Sequence, residues 1–181
     1  MEFTHSRPDI VRSIDQRWLL DYWRRLRGTA AIPTWHGLAP DRLGAVTEHL
    51  SYLDVIGCDG DARFQIRFHG EGLALAYGQS CVGRFLDELL PASFRDASLA
   101  TYRQSIAAKL PIYTVADMRD ANGRIVHYER LLLPFGHDGI TVERILASLE
   151  TSSPEGQYEH RELMTSAQKP PVFALCAMLE F

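Results

Sequence analysis

The chain has 181 residues, 46% of them hydrophobic and 23% charged, with a formal net charge of −4 at neutral pH. That length suits one domain with terminal extensions, and the apolar content supports a core without metal or disulfide staples. The acidic balance argues against a nucleic-acid partner, whose phosphates need a basic surface. The one basic cluster, Arg24, Arg25 and Arg27, sits at the end of a predicted helix, where positive charge complements the helix dipole. Cys58, Cys81 and Cys176 are odd in number and widely spaced, so neither a disulfide framework nor a metal clip is expected. The amino terminus carries no apolar signal core, and no stretch approaches the ~20 apolar residues of a membrane span. The expected location is the cytoplasm, with reduced thiols.

The first predicted element is an amphipathic helix over Ile14 to Arg27. Ser13 and Gln16 have the spacing of a capping box, in which the hydroxyl meets an orphan amide and the Gln side chain reaches back. Trp18, Leu19, Tyr22, Trp23 and Leu26 follow at helical spacing, and Gly28 is a natural stop. Trp18, Tyr22 and Trp23 are candidate interface anchors. The alternative is that they cover the sheet of their own chain. Thr29 to Pro40 is a loop, and Asp41 to Leu50 a short helical piece. Tyr52–Cys58 and Arg63–His69 are strands joined by an Asp59-Gly60-Asp61 turn. In the second of them Phe64, Ile66 and Phe68 alternate with Arg67 and His69.

Gly70 to Gly83 is glycine-rich and expected as short helical turns. Arg84–Leu90 is a short helix and Ser93–Lys109 a longer one, stopped by Pro111. Strands follow over Ile112–Arg119, Ile125–Phe135 and Thr141–Leu149. Their turns are Asp120-Ala121-Asn122-Gly123 and His137-Asp138-Gly139. Beyond Ser152 the chain is polar until Pro170-Pro171. Val172 to Phe181 is apolar again and packs either on the domain or on a partner. The order implies an α+β fold: a five-stranded antiparallel sheet with helices on one face. The divisions are a helix and lead-in over 1–50, a core over 51–152 and an extension over 153–181.

Several strings in this order carry a resemblance. They are Leu20-Asp21-Tyr22-Trp23-Arg24-Arg25-Leu26-Arg27-Gly28, Pro33, Leu38-Ala39-Pro40, Phe64-Gln65-Ile66-Arg67-Phe68-His69-Gly70, Tyr77-Gly78 and Gly83. Tyr128-Glu129-Arg130-Leu131-Leu132-Leu133-Pro134 and Val142-Glu143-Arg144-Ile145-Leu146 complete the set. Over Leu19 to Leu149 the chain resembles a family of short bacterial PAS-like proteins. It departs at Glu71, where the family often has a small hydroxyl residue, and at Ala147, where it favours glycine. The resemblance implies the PAS fold and a sensory or regulatory role in signalling. It brings no catalytic residue and no defined ligand, so the cofactor is left unknown.

A PAS pocket would lie between the sheet and the short helices, apolar with a few polar anchors. The polar residues within apolar strands are Arg67, His69, Tyr113, His127, Tyr128, Glu129, Arg130 and Arg144. Among all residues, Arg67, His69, Tyr77, Tyr113 and Tyr128 are the candidate ligand contacts. An Arg or His facing the cavity could hold a carboxylate. The competing reading of such residues is a solvated outer face with cross-strand ion pairs.

Cys81-Val82-Gly83-Arg84-Phe85-Leu86 is similar to the reactive-cysteine string of the photoreceptive LOV branch. Here Val82 and Gly83 intervene, and Ser80 stands where that branch has asparagine, so flavin photochemistry is not expected. The longer helix has no His or Cys for haem, although His69 or His127 could serve as an axial ligand. No histidine pair has metal spacing, and no nucleophile elbow, phosphate loop or triad spacing is present. The expectation is a non-enzyme that binds a small ligand, a signalling partner, or a second copy through the first helix. The rivals are a ligand-free interaction module, its space plugged by Phe64, Phe68, Phe85, Met118 and Leu133, and, more distantly, a small enzyme.

Overall fold

The computed structural model describes residues 2–38, 43–57, 59–165 and 170–181. Pro40, the start of the helical piece expected from Asp41, and Cys58 lie outside the described residues. The elements in chain order are β1 (Thr4–Ser6), α1 (Ile14–Arg27), β2 (Leu50–Ile56), β3 (Arg63–His69), α2 (Glu71–Tyr77), α3 (Leu86–Leu89) and α4 (Arg95–Ala108). Then come β4 (Ile112–Arg119), β5 (Ile125–Phe135), β6 (Arg144–Ser152) and β7 (Val172–Leu179). The strands form one sheet in the order β1-β7-β4-β5-β6-β2-β3.

The sheet has seven strands where the sequence suggested five. The five expected strands are contiguous at its centre and far end. The additional pair comes from the termini. β7 pairs antiparallel with the otherwise free edge of β4, and β1 pairs parallel with β7. An open edge presents unpaired main-chain donors and acceptors, and β7 satisfies those of β4. The apolar 172–181 stretch therefore packs on its own domain. Without a tight turn behind it, its local pattern gave no sign of a sheet partner.

Hairpin geometry explains most of the register. Asp120 Oδ1 accepts from the amides of Asn122 and Arg124, closing the β4–β5 turn. At the β5–β6 turn, Asp138 Oδ1 takes the amides of Ile140 and Thr141. That Asx turn is why β6 begins at Arg144, three residues later than the alternation at Thr141 suggested.

Helices cover both faces. α2, α3 and α4 lie on the face to which Tyr128 and Arg130 point, since both line a cavity with Tyr102 of α4. Side chains alternate along a strand, so Glu129 faces the other way, and there it meets Arg12 at the entry to α1. The amide of Gln16 bonds to Ser13 Oγ at 3.3 Å, capping α1. The second half of the expected capping box does not form. Gln16 Nε2 instead donates to the carbonyls of Glu129 and Ser148, anchoring α1 to β5 and β6.

Two glycines allow close approaches near the pocket. A Cβ on Gly70, before α2, would sit 2.0 Å from the carbonyl oxygen of Thr47. A Cβ on Gly78, after α2, would sit 2.6 Å from Glu162 Cγ, and its φ of +74° also favours glycine. Glu162 belongs to a strap, residues 158–165, that crosses α2 before the chain reaches β7. The amides of Glu162 and Met164 donate to the carbonyls of Leu75 and Ala76 at 3.0 and 2.9 Å, and His160 Nε2 lies 3.2 Å from the carbonyl of Gly72. Within the strap, Leu163 and Met164 are buried.

Candidate functional site

The helix-covered face encloses a cavity with about 30 Å³ of free space, of the order of one water's share of liquid volume. β2, β3 and β6 supply its wall through Ser51, Ile66, His69, Ala147 and Leu149. Leu73 and Tyr77 come from α2, Tyr102 from α4, and Tyr128 and Arg130 from β5. Leu90 and the strap's Met164 close it. The free space is small because these side chains fill most of it.

Arg130 is the unusual member. It is 4% exposed, a rare degree of burial for a permanently charged side chain without a paired acid. Its Nη2 donates to Thr101 Oγ1 at 2.6 Å, and Thr101 Oγ1 donates onward to the carbonyl of Ser98 at 2.7 Å. Its guanidinium lies 5.1 Å from the ring centre of Tyr102 and 5.7 Å from that of Tyr128, within cation–π range. Nε is buried without a partner. Among the described residues, no Asp or Glu forms an ion pair with it.

The phenols around it are held neutral. Burial pushes Tyr77 well above its ordinary range, Tyr102 up to about 12, and Tyr128 upward. Arg130 pulls the other way in each case without reversing the shift. At neutral pH the three hydroxyls are therefore donors and acceptors, not countercharges.

His69 adds another donor. Its Nε2 accepts the amide of Cys81 at 3.0 Å. An acceptor nitrogen cannot carry the proton of a neutral imidazole, so the proton sits on Nδ1. That Nδ1 is buried and without a partner. Burial lowers the pKa of His69, reinforcing the neutral form.

Of the five sequence-predicted contacts, His69, Tyr77 and Tyr128 come together in this lining. Arg67 and Tyr113 stand outside it. Arg67 donates to Asp54 Oδ2 at 2.7 Å, and Arg144 donates to the other oxygen at 3.0 Å, so Arg67 belongs to an exposed cross-strand ion cluster. Tyr113 donates to Glu129 Oε2 at 2.5 Å on the α1 face. Burial, and after it the tight bond to an anionic acceptor, push its pKa up. Strand polarity alone did not place Tyr102, Thr101 or Met164 in the site. Tyr102 was visible only as part of a helical stripe, and Met164 lies in a segment whose composition is polar. Arg130 had a usable signal, its period-two relation to Tyr128.

Of the candidate interface anchors, Trp23 is 0% exposed. Its Nε1 donates to the carbonyl of Pro134 at 2.8 Å, and its ring stacks on Phe181. Tyr22 is buried, whereas Trp18 is 37% exposed and stacks on Tyr22. Of the plugs considered for a filled core, Phe64 is fully buried against Tyr102 beside the cavity, while Phe68 stacks on Tyr52. Cys81 is buried with its thiol pushed up by desolvation, the opposite of an activated thiolate. His127 pairs with Asp117 away from the cavity at 2.6 Å. Among the described residues no cluster of three or more His, Cys, Asp or Glu gathers as a metal site, and no helix is long and apolar enough to cross a membrane.

A family model described as PAS domain matches residues 11–150. No curated protein matches the chain. Among solved structures, the crystal structure of a LOV protein from Rhodobacter sphaeroides is similar at 16% identity and a TM-score of 0.46, over 64% of this chain and 67% of that one.

Proposed function

The chain belongs to the PAS domain family, and from that premise we propose that it is a sensory and regulatory signalling domain whose cavity takes a small ligand. The observation that carries this role is the buried guanidinium of Arg130 beside free space, ringed by neutral phenols and, among the described residues, without an acidic partner. A binding event there would act on α2 and the strap, because Tyr77 and Met164 both touch the cavity. The ligand shifts a conformational population by binding one arrangement of strap and helix better than the other. The role is non-catalytic. The cavity's titratable groups are an arginine, three neutral phenols and a histidine whose Nε2 is already occupied, which leaves no evident general base. Buried, unpaired Cys81 and Cys176 fit a reducing cytoplasmic setting.

Native mass spectrometry of the purified chain, compared with its denatured mass, tests this role. A co-purified or added small molecule released on denaturation, and lost when Tyr128 is replaced by Leu, is the expected result. A bare mass under all ligand conditions would refute it and favour a ligand-free interaction module.

Exposed apolar area on α1 favours a second reading, in which a signalling partner or a second copy docks there. Ile14 is 78% exposed and lies one helical turn from the partly exposed Trp18. Trp18→Ala should weaken self-association in sedimentation velocity while leaving the fold intact. A monomer at all concentrations would exclude the homodimer.

A further inference from the structure

Resting on the ligand-binding role above, we propose that the cavity beside Arg130 is a site for a small carboxylate, held on the guanidinium with neutral donors around it. The inference begins with charge. A guanidinium stays protonated at any physiological pH, and a buried charge is costly unless it is paired. Arg130 is 4% exposed and has the Thr101 hydroxyl, two aromatic faces and the neutral hydroxyls of Tyr102 and Tyr128 for company, but among the described residues no anion. Nε is an N–H donor with nothing to donate to. His69 Nδ1 is a second buried donor without a partner, its proton placed there by the Cys81 amide on Nε2. Among the described residues no acidic side chain lines the cavity. The site therefore holds a buried cation and two N–H donors without partners, with only neutral acceptors around them.

Two features narrow the anion. Among the described residues Arg130 is the one cationic side chain in the lining, and His69, accepting the Cys81 amide, is neutral. A monoanion would balance that charge, whereas a dianionic phosphate would bury a surplus one. The flat fork of a guanidinium also matches a planar carboxylate. The free space of about 30 Å³ is of the order of one water, so the smallest carboxylates, formate and acetate, enter with the least displacement of the lining. A longer body would have to displace Met164, which couples ligand length to the strap.

The experiment titrates sodium formate, acetate and propionate, and separately formamide, acetamide and propionamide, at constant ionic strength. Binding is followed by thermal shift and by the ¹H–¹⁵N resonance of Arg130 Nε, assigned through its disappearance in Arg130→Lys. Carboxylates should give a saturable shift of that resonance and a higher melting temperature, and the amides neither. Arg130→Gln should lower acetate affinity by roughly tenfold to a hundredfold, the worth of a charge-assisted hydrogen bond. If that variant does not fold, Arg130→Lys carries the same comparison with the charge kept and the fork removed. Amides that bind as well as carboxylates would overturn the carboxylate assignment but leave a ligand-binding domain. Acetate binding that survives both Arg130 variants would place the anion elsewhere and overturn it too. If neither series binds and the native mass is bare, the carboxylate assignment and the ligand-binding role fall together.

Discussion

Truncating Met164 tests whether the strap is a packed wall of the cavity. Met164 is buried, its amide bonds to the carbonyl of Ala76 at 2.9 Å, and its side chain lines the free space. A Met→Ala change in a core costs roughly 2–5 kcal/mol, the larger values where the site cannot collapse. Here the strap is held to α2 by few backbone bonds, at Leu75 and Ala76, and can settle inward. The expected loss is therefore in the lower half, about 2–3 kcal/mol. For a domain of this size each kcal/mol moves the melting temperature by about 2–4 °C. Met164→Ala should thus melt roughly 4–12 °C below the parent by circular dichroism. Urea unfolding should give the same free energy with an unchanged slope. The enlarged cavity should also admit a longer carboxylate such as hexanoate, which should restore more of the melting temperature in the variant than it adds to the parent. A loss below about 0.5 kcal/mol, the range of an ordinary surface change, would refute the packed-wall account.

Other substitutions test other parts of the structure. Gly70→Ala would set a Cβ 2.0 Å from one backbone oxygen and 2.4 Å from another, neither able to rotate aside. A destabilisation of about 1–3 kcal/mol is expected by chemical denaturation, as for an overpacked site, and a neutral result would mean the contact between α2 and residues 47–48 is looser than described. Gln16→Ala removes two donations from one buried amide to Glu129 and Ser148. It should cost about 1–3 kcal/mol, and amide exchange should quicken in α1. Unchanged exchange would show that the apolar face of α1 suffices to hold it.

His69 gives a pH signature. Burial lowers its folded pKa below 6.5, so in the window beneath 6.5 the unfolded chain holds a proton that the folded chain lacks. The contribution of His69 to stability is complete above that value and is lost as pH falls through the window. His69→Gln, which keeps an acceptor for the Cys81 amide, should flatten the stability profile in the window below 6.5. An unaltered slope would argue that His69 is charged in the folded protein.

The strands illustrate what local pattern can carry. Arg63–His69, Ile112–Arg119 and Ile125–Phe135 have the bounds that alternation and turn residues suggest, because strand periodicity and Asx or Asn-Gly turns are short-range physics. The site was less legible. A sheet with one solvated face sorts polar from apolar along each strand, but this sheet is covered on both sides. Most of β5 is consequently buried irrespective of parity. Arg67 and Arg130 then look alike in sequence, yet one joins a surface ion cluster and the other lies beneath α4.

By itself the sequence determined the kinds of element, their order and the central hairpins, since each depends on neighbours a few residues apart. Only tertiary structure decided the two added edge strands, the pairing of Tyr102 with Arg130, and the passage of Met164 over the cavity. Those contacts join segments tens of residues apart through main-chain edges and shape complementarity, which leave no period in the chain that makes them.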